Sequence, residues 1–206
     1  AFGIGSALSR DYSATGTPTK GRGKKADEAL HLLQQLWTKD EVSFEGEYFQ
    51  YDRASISPKP ANPRLPLWIG GTSQAAIERT ARVGTGWLAG SDTPSHTKTV
   101  VAGIKAALPK YKRTIDEDHY GATFSFRFGS VDEPIAQQSI KGLQARLKQD
   151  PVDYLAIGSA EDVSRRLKEF IDAGCSKFVL IPIAEGTRDL LNQTERLIQE
   201  VLPRFD

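Results

Sequence analysis

The chain has 206 residues, with 27 basic against 26 acidic side chains and a net charge of +1. That length buries one sizeable core or two small ones, and the balanced charge excludes the electrostatic footprint of a nucleic-acid or anionic-membrane partner. No apolar run reaches the length of a membrane span, no basic stretch leads into an apolar core as in a signal peptide, and one cysteine, Cys175, excludes a disulfide framework and fits a reducing cytoplasm.

Ala1–Gly5 ("AFGIG") reads as a short strand, and with no methionine in the chain the expectation is that a longer protein precedes it. From Ala26 to Trp37, Ala29, Leu30, Leu33, Leu36 and Trp37 recur at helical spacing, which gives a core-facing stripe. Residues 42–52 ("VSFEGEYFQYD") interleave aromatic and polar side chains around Glu45-Gly46, a hairpin pattern. Pro58, Pro60, Pro63 and Pro66 make the next segment an extended connector. The strand "LWIGG" (67–71), a helix over 73–83, the strand "GWLAG" (86–90) and a helix over about 94–112 follow. A long strand is expected over 121–131 ("GATFSFRFGSV"), then a polar stretch that is helical in part. A helix over 160–173, the strand "KFVLIPI" (177–183) and a helix over about 187–201 close the chain. Five strands alternating with long helices imply parallel β-α units.

A doubly wound sheet and a closed (β/α)8 barrel both satisfy this pattern. The strand "ATFSFRFG" bears on the choice, because a strand covered by helices on both faces should be almost wholly apolar. Here Phe124, Phe126 and Phe128 take one face, and Thr123, Ser125 and Arg127 the other. That suits a barrel whose phenylalanines pack on helices while Arg127 projects inward near the C-terminal end, where enzymes of this fold work. An edge strand with one solvated face is the alternative.

The turn "PLWIGGTSQAA" (66–76) raises the question of an anion site. A helix N-terminus offers unpaired N–H groups and partial positive charge. The helix after Gly158 serves itself, with Ser159 as N-cap, Glu161 in its first turn and Asp162 at the capping-box position. The helix after Gly71 has no carboxylate before Glu78. Its first turn is small and uncharged, Thr72 or Ser73 supplies the cap, and Gly70 and Gly71 let a ligand approach the backbone. A hydroxyl-capped helix after a glycine turn explains the same residues without a ligand. A dinucleotide fingerprint does not fit, since the third glycine is absent.

These segments taken together resemble the bacterial-luciferase-like flavin oxidoreductases, the family of FMN-dependent monooxygenases and F420-dependent oxidoreductases. The resemblance rests on the order and spacing of "ATGTPTKGRGKKADEALHLLQQLW", "VSFEGEYFQYD", "PKPANPRLPLWIGGTSQAAIERTARVGTGWL" and "AIGSAEDVSRRLKEFIDAGCSKFVLIPI". It implies an α/β fold of the (β/α)8 TIM-barrel type, of which 1–206 would form a single domain, the C-terminal two-thirds, with strands four to eight and a β-hairpin insertion. It implies FMN or coenzyme F420 as cofactor, an oxidoreductase or monooxygenase acting on a small organic substrate, and a homodimer. Gly70, Gly71, Thr72 and Ser73 match the segment that binds the flavin phosphate. Thr123 and Ser125 fall where sulfonate-oxidising relatives carry Arg and His, so their substrate and acid–base arrangement do not transfer. Arg127 is the cation expected to orient an anionic substrate or cofactor group. No catalytic residue is assigned, and a non-catalytic flavin-binding protein of the same fold is the alternative.

Lys20, Arg22, Lys24 and Lys25 read as a solvated basic loop, with Arg22 on the family's R-G motif as a brace. His31, His96 and His119 have no neighbours at metal-ligand spacing, so no metal site is expected. Cys175 is expected to be a small buried residue, and Trp68 and Trp87 packing groups that could line a flavin pocket. Glu185, Thr187 and Arg188 are either mouth residues or a polar loop with Thr187 as helix cap.

Overall fold

A computed structural model describes residues 3, 10–145, 147 and 150–205. The strand expected over 1–5 lies outside these, Gly3 apart. A short helix, α1 (Arg10–Ala14), is followed by α2 (Arg22–Thr38), which buries Ala26, Leu30 and Leu32. Strands β1 (Val42–Glu45) and β2 (Gln50–Ala54) form the expected antiparallel hairpin. Glu28 of α2 fastens it: its carboxylate accepts the backbone N–H groups of Glu47, Tyr48 and Phe49 at 2.7 to 3.2 Å.

The main sheet is wholly parallel. It contains β3 (Trp68–Gly70), β4 (Gly86–Ser91), β5 (Tyr120–Phe128), β6 (Leu155–Gly158) and β7 (Lys177–Pro182). Strand β5 is central. One edge pairs with β4 along Tyr120–Thr123 and with β6 along Ser125–Phe128, and the other pairs with β7 along Gly121–Phe126. The connections run through α3 (Gln74–Val83), α4 (Pro94–Ala107), α5 (Pro134–Gln144) and α6 (Ala160–Asp172), and α7 (Gly186–Arg196) follows β7.

Four expectations need correction. Arg22, Lys24 and Lys25, expected in a solvated loop, lie in the first turn of α2, which starts at Arg22. The four-residue strand β6 was not among the five expected: "LAIG" is too short to show a period and merges into the signal of the capped helix that follows. The strand expected over 121–131 stops at Phe128, where Glu133 folds back on the turn and accepts the Ser130 N–H. Helix α7 begins at Gly186 with Glu185 in the N-cap position, so Thr187 lies inside the helix and is not its cap.

The two faces of the sheet decide the architecture. Trp87, Ala89, Tyr120, Ala122, Phe124, Phe126 and Phe128 are buried in the main core together with Ile77, Val100, Val163 and Phe170 from the helices. Phe124 stacks on Phe170 at 5.2 Å, and each such ring contributes about 1.5–3 kcal/mol by leaving water. The opposite face carries Thr123, Ser125 and Arg127, which are half-buried, and Val179 and Ile181, which are exposed. Among the described residues, helices cover one face only. That is the wall of a β/α barrel and not a doubly wound sheet. Trp68 lies on the inner face, its ring over Gly86, where a Cβ would collide with it at 2.6 Å, and close to Gly121, where a Cβ would press on it at 3.2 Å.

Candidate functional site at the C-terminal strand ends

Enzymes built on β/α units place their chemistry where strands end and helices begin. At the end of β3, Gly70 is followed by Gly71 at φ 97°, a left-handed conformation that side chains rarely adopt. Ser73 is the N-cap of α3, its hydroxyl accepting the Ala76 N–H at 3.3 Å. No acidic residue stands in the first turn of α3. Gly71 and Ser73 are exposed and Thr72 is half-buried. The Gly71 carbonyl turns inward, accepting the Trp87 Nε1–H at 2.9 Å. Sequence reading assigned Trp87 to packing or to the lining of a flavin pocket and did not foresee this bond; its buried N–H called for an acceptor, and that was the available signal.

The helix starts along the main sheet differ in what serves them. At α5, α6 and α7 a carboxylate folds back onto the turn: Glu133 accepts the Ser130 N–H at 2.7 Å, Asp162 the Ser159 N–H at 2.8 Å, and Asp189 the Glu185 N–H at 2.9 Å. These hydrogen bonds help hold all three carboxyls below their ordinary pKa, that of Asp162 at about 2. Among the described residues, only α3 and α4 combine a hydroxyl N-cap with a first turn free of acid: Ser73 in one, Thr93 in the other. They follow the neighbouring strands β3 and β4. Of the two, the α4 start carries the Asp92 carboxylate on the Thr93 N–H, whereas the α3 start has none and suits an incoming anion, which a carboxylate would repel.

Arg127 sits as expected on the inner face, yet its charge is already matched. Its Nε donates to Glu133 at 2.8 Å, and Nη1 to the Ile183 carbonyl and to Asp189, each at 2.8 Å. Nη2 lies 2.6 Å from Glu133. Gln193 extends this network, accepting from the Phe128 N–H at 2.7 Å and donating to the Phe128 carbonyl at 3.1 Å. The guanidinium therefore ties β5 to the starts of α5 and α7. Thr123 and Ser125 share its face, and Thr123 is in register with Ser91 of β4. The structure thus brings Thr123, Ser125 and Arg127 onto one inner face, while residues 70–73 form the turn at the end of β3, two strands away.

The sequence reading missed an aspartate–histidine pair beyond β4. Asp92 is buried, accepts the Thr93 N–H at 2.8 Å and lies 2.7 Å from His96 Nδ1. The i, i+4 spacing in "SDTPSH" was the legible signal. His96 borders an open groove of about 940 Å³ between α4 and α6, with Ser95, Asp153 and Arg166 on its walls.

Of the remaining candidates, Arg22 is half-buried with its Nη1 3.5 Å from the Thr19 carbonyl, and Glu185, Thr187 and Arg188 are exposed. Cys175 is buried, which pushes its thiol up to about 12. His119 departs from expectation: Asp116 and Asp118 present ligand atoms within 4.8 Å of it and of each other. Lys177 Nζ already neutralises Asp118 at 2.8 Å, and the group is an exposed ion-pair cluster at the opposite end of the sheet.

A family model described as luciferase-like monooxygenase matches residues 1–139. The F420-dependent glucose-6-phosphate dehydrogenase of Nakamurella multipartita is 35% identical over 100 residues, covering 48% of this chain and 29% of that protein. An F420-dependent secondary alcohol dehydrogenase, solved with an F420-acetone adduct, superposes with a TM-score of 0.79 at 19% identity, over 97% of this chain and 68% of that one. The oxygenating constituent of 3,6-diketocamphane monooxygenase from Pseudomonas putida, a type II Baeyer-Villiger enzyme in complex with FMN, superposes with a TM-score of 0.72 at 13% identity, over 98% and 70%. The chain spans about a third of the length of curated relatives matched above 30% identity, and about three fifths where the alignment covers most of it. The structural likenesses confirm the barrel wall as part of a luciferase-like TIM-barrel fold, and the match over two thirds of the sequence places this chain in the luciferase-like monooxygenase family.

Proposed function

We propose that the chain serves an oxidoreductase of the flavin or deazaflavin type, binding the phosphate of FMN or F420 at Gly70, Gly71, Thr72 and Ser73. The observation that carries this reading is the turn itself: a left-handed Gly71, a hydroxyl cap and an acid-free first turn at a strand's C-terminal end. The residues fit a phosphate, since exposed backbone N–H groups and hydroxyls face no competing carboxylate. When bound, the cofactor supplies hydride transfer or oxygen activation. The chain's own contribution is positional. Thr123 and Ser125 offer hydroxyls to orient a small organic substrate or the cofactor ring, and Arg127 holds the starts of α5 and α7 around them. The names of its relatives, F420-dependent dehydrogenases and an FMN-bound monooxygenase, support either cofactor. The exposed apolar residues Leu190, Leu191 and Ile198 beyond β7 suit association with a second subunit.

One observation favours the second reading, a flavin-binding protein without turnover. Among the described residues, the inner face of the sheet presents hydroxyls and a charge-matched arginine, with no histidine or carboxylate free to move a proton. Absorbance titration with FMN and with F420 tests the proposal. Saturable binding of one cofactor, lost in Gly71→Val, is the expected result; equal affinity in the variant removes the phosphate assignment. Turnover with reduced cofactor then separates enzyme from binding protein.

A further inference from the structure

Trp87 has a role at the phosphate turn that its burial conceals. Its ring is wholly buried between β4 and the helices, packed in the main core with Ile77 and Ala81 of α3. An indole has a single polar atom, which needs an acceptor once it leaves water. The register setting Ile69 opposite Trp87 brings that N–H beneath the β3–α3 turn, where it reaches the Gly71 carbonyl. A planar trans peptide points its C=O and its N–H in opposite directions. With the Gly71 oxygen drawn down to the buried indole, the Thr72 N–H of the same peptide points away from the core, toward the exposed side of the turn. The Thr72 and Ser73 N–H groups donate to no described residue.

We propose that Trp87 is a positioning residue: its indole N–H locks the Gly71–Thr72 peptide in the one orientation that presents an N–H to the phosphate of a bound flavin or deazaflavin. The inference rests on the phosphate reading of residues 70–73. Its logic is that glycine at 71, with no Cβ to restrict its backbone, leaves this peptide freer to turn over about ψ of Gly71 and φ of Thr72. Turned over, the peptide would offer a carbonyl oxygen to the anion in place of an N–H. Trp87 removes that alternative by giving the oxygen a buried donor.

The test compares ligands that differ only in the phosphate. FMN and riboflavin are titrated against the 206-residue chain, the Trp87→Phe variant, and a chain carrying benzothienylalanine at 87, which keeps the indole's shape without its N–H. The same pair of titrations is made with F420 and its phosphate-free deazaflavin. Losing one neutral hydrogen bond that organises the site should weaken FMN or F420 binding about five- to tenfold. Riboflavin or phosphate-free deazaflavin affinity should stay unchanged. If both members of a pair weaken alike, or neither does, Trp87 is a packing residue and the inference falls. If the unaltered chain binds the phosphate-bearing cofactors no better than the phosphate-free ones, the phosphate site itself falls, and the inference with it. Benzothienylalanine keeps the test valid should phenylalanine loosen the core.

Discussion

At the scale of single residues, the helix starts differ in whether a carboxylate folds back on the turn, from the N-cap in α5, the third position in α6 and the fourth in α7. Asp162 closes a capping box: it accepts from the Ser159 backbone N–H and hydroxyl, while the Ser159 hydroxyl accepts the Asp162 N–H. Those bonds, with Arg165 beside it, hold its pKa at about 2, against an ordinary value of 3.8. A carboxylate depressed in the folded state stabilises above its unfolded pKa and loses that contribution as pH falls through the folded value. The capping contribution should therefore fade between about pH 4 and about pH 2. Asp162→Ala should cost about 1 kcal/mol at neutral pH and flatten that part of the acid-unfolding profile, as read by circular dichroism. Ala76, at the corresponding position of α3, makes no such reciprocal bond, which leaves that helix start to the Ser73 hydroxyl.

At the scale of elements, β3 and β4 pair so that the β3–α3 turn lies beside Trp87. On the inner face, two glycines, Gly86 of β4 and Gly121 of β5, make room for the Trp68 ring. A Cβ on Gly86 would fall 2.6 Å from the Trp68 ring and 2.8 Å from the His119 carbonyl, and one on Gly121 would fall 2.9 Å from Leu88. The His119 contact is with backbone, which cannot rotate away. Gly86→Ala should accordingly destabilise the chain by about 1–3 kcal/mol, the range for overpacking, in urea unfolding followed by tryptophan fluorescence. Gly142, whose Cβ would meet nothing within 4 Å, supplies the control. Because Gly142 lies inside α5, an alanine there should be neutral or stabilising.

At the scale of the whole molecule, the Arg127 network joins parts of the chain up to 66 positions apart, from Arg127 to Gln193. The arginine side chain is 11% exposed, while Glu133 and Asp189 are 34% and 25% exposed. Arg127→Ala would strand two half-buried carboxylates. The expected cost is about 2–3 kcal/mol, below the range for fully buried pairs because water reaches both acids. Equilibrium urea unfolding measures it. An Arg127→Ala variant as stable as the original chain would show that the network contributes nothing to the fold. The same pairing lowers the pKa of Glu133, while for Asp189 the Glu185 backbone bond comes first and Arg127 second. Both groups add to the stability lost as pH falls below the ordinary carboxylate range.

The sequence by itself determined what depends on neighbours along the chain. The two-residue alternation of Phe124, Phe126 and Phe128 with Thr123, Ser125 and Arg127 marked a strand with one helix-covered face. The Ser159–Asp162 spacing marked a cap, and the order of motifs marked the family. Tertiary structure decided what depends on partners far away in sequence. Arg127 looked like a free cation because Asp189 lies 62 positions away, and Glu133, six positions on, reaches it only because the chain turns back after Phe128. Strand β6 is stabilised as a strand by its pairing with β5 and is too short to carry a period. Trp87 read as packing because burial is written in its hydrophobicity, whereas the bond to Gly71 exists only once β3 and β4 lie in register.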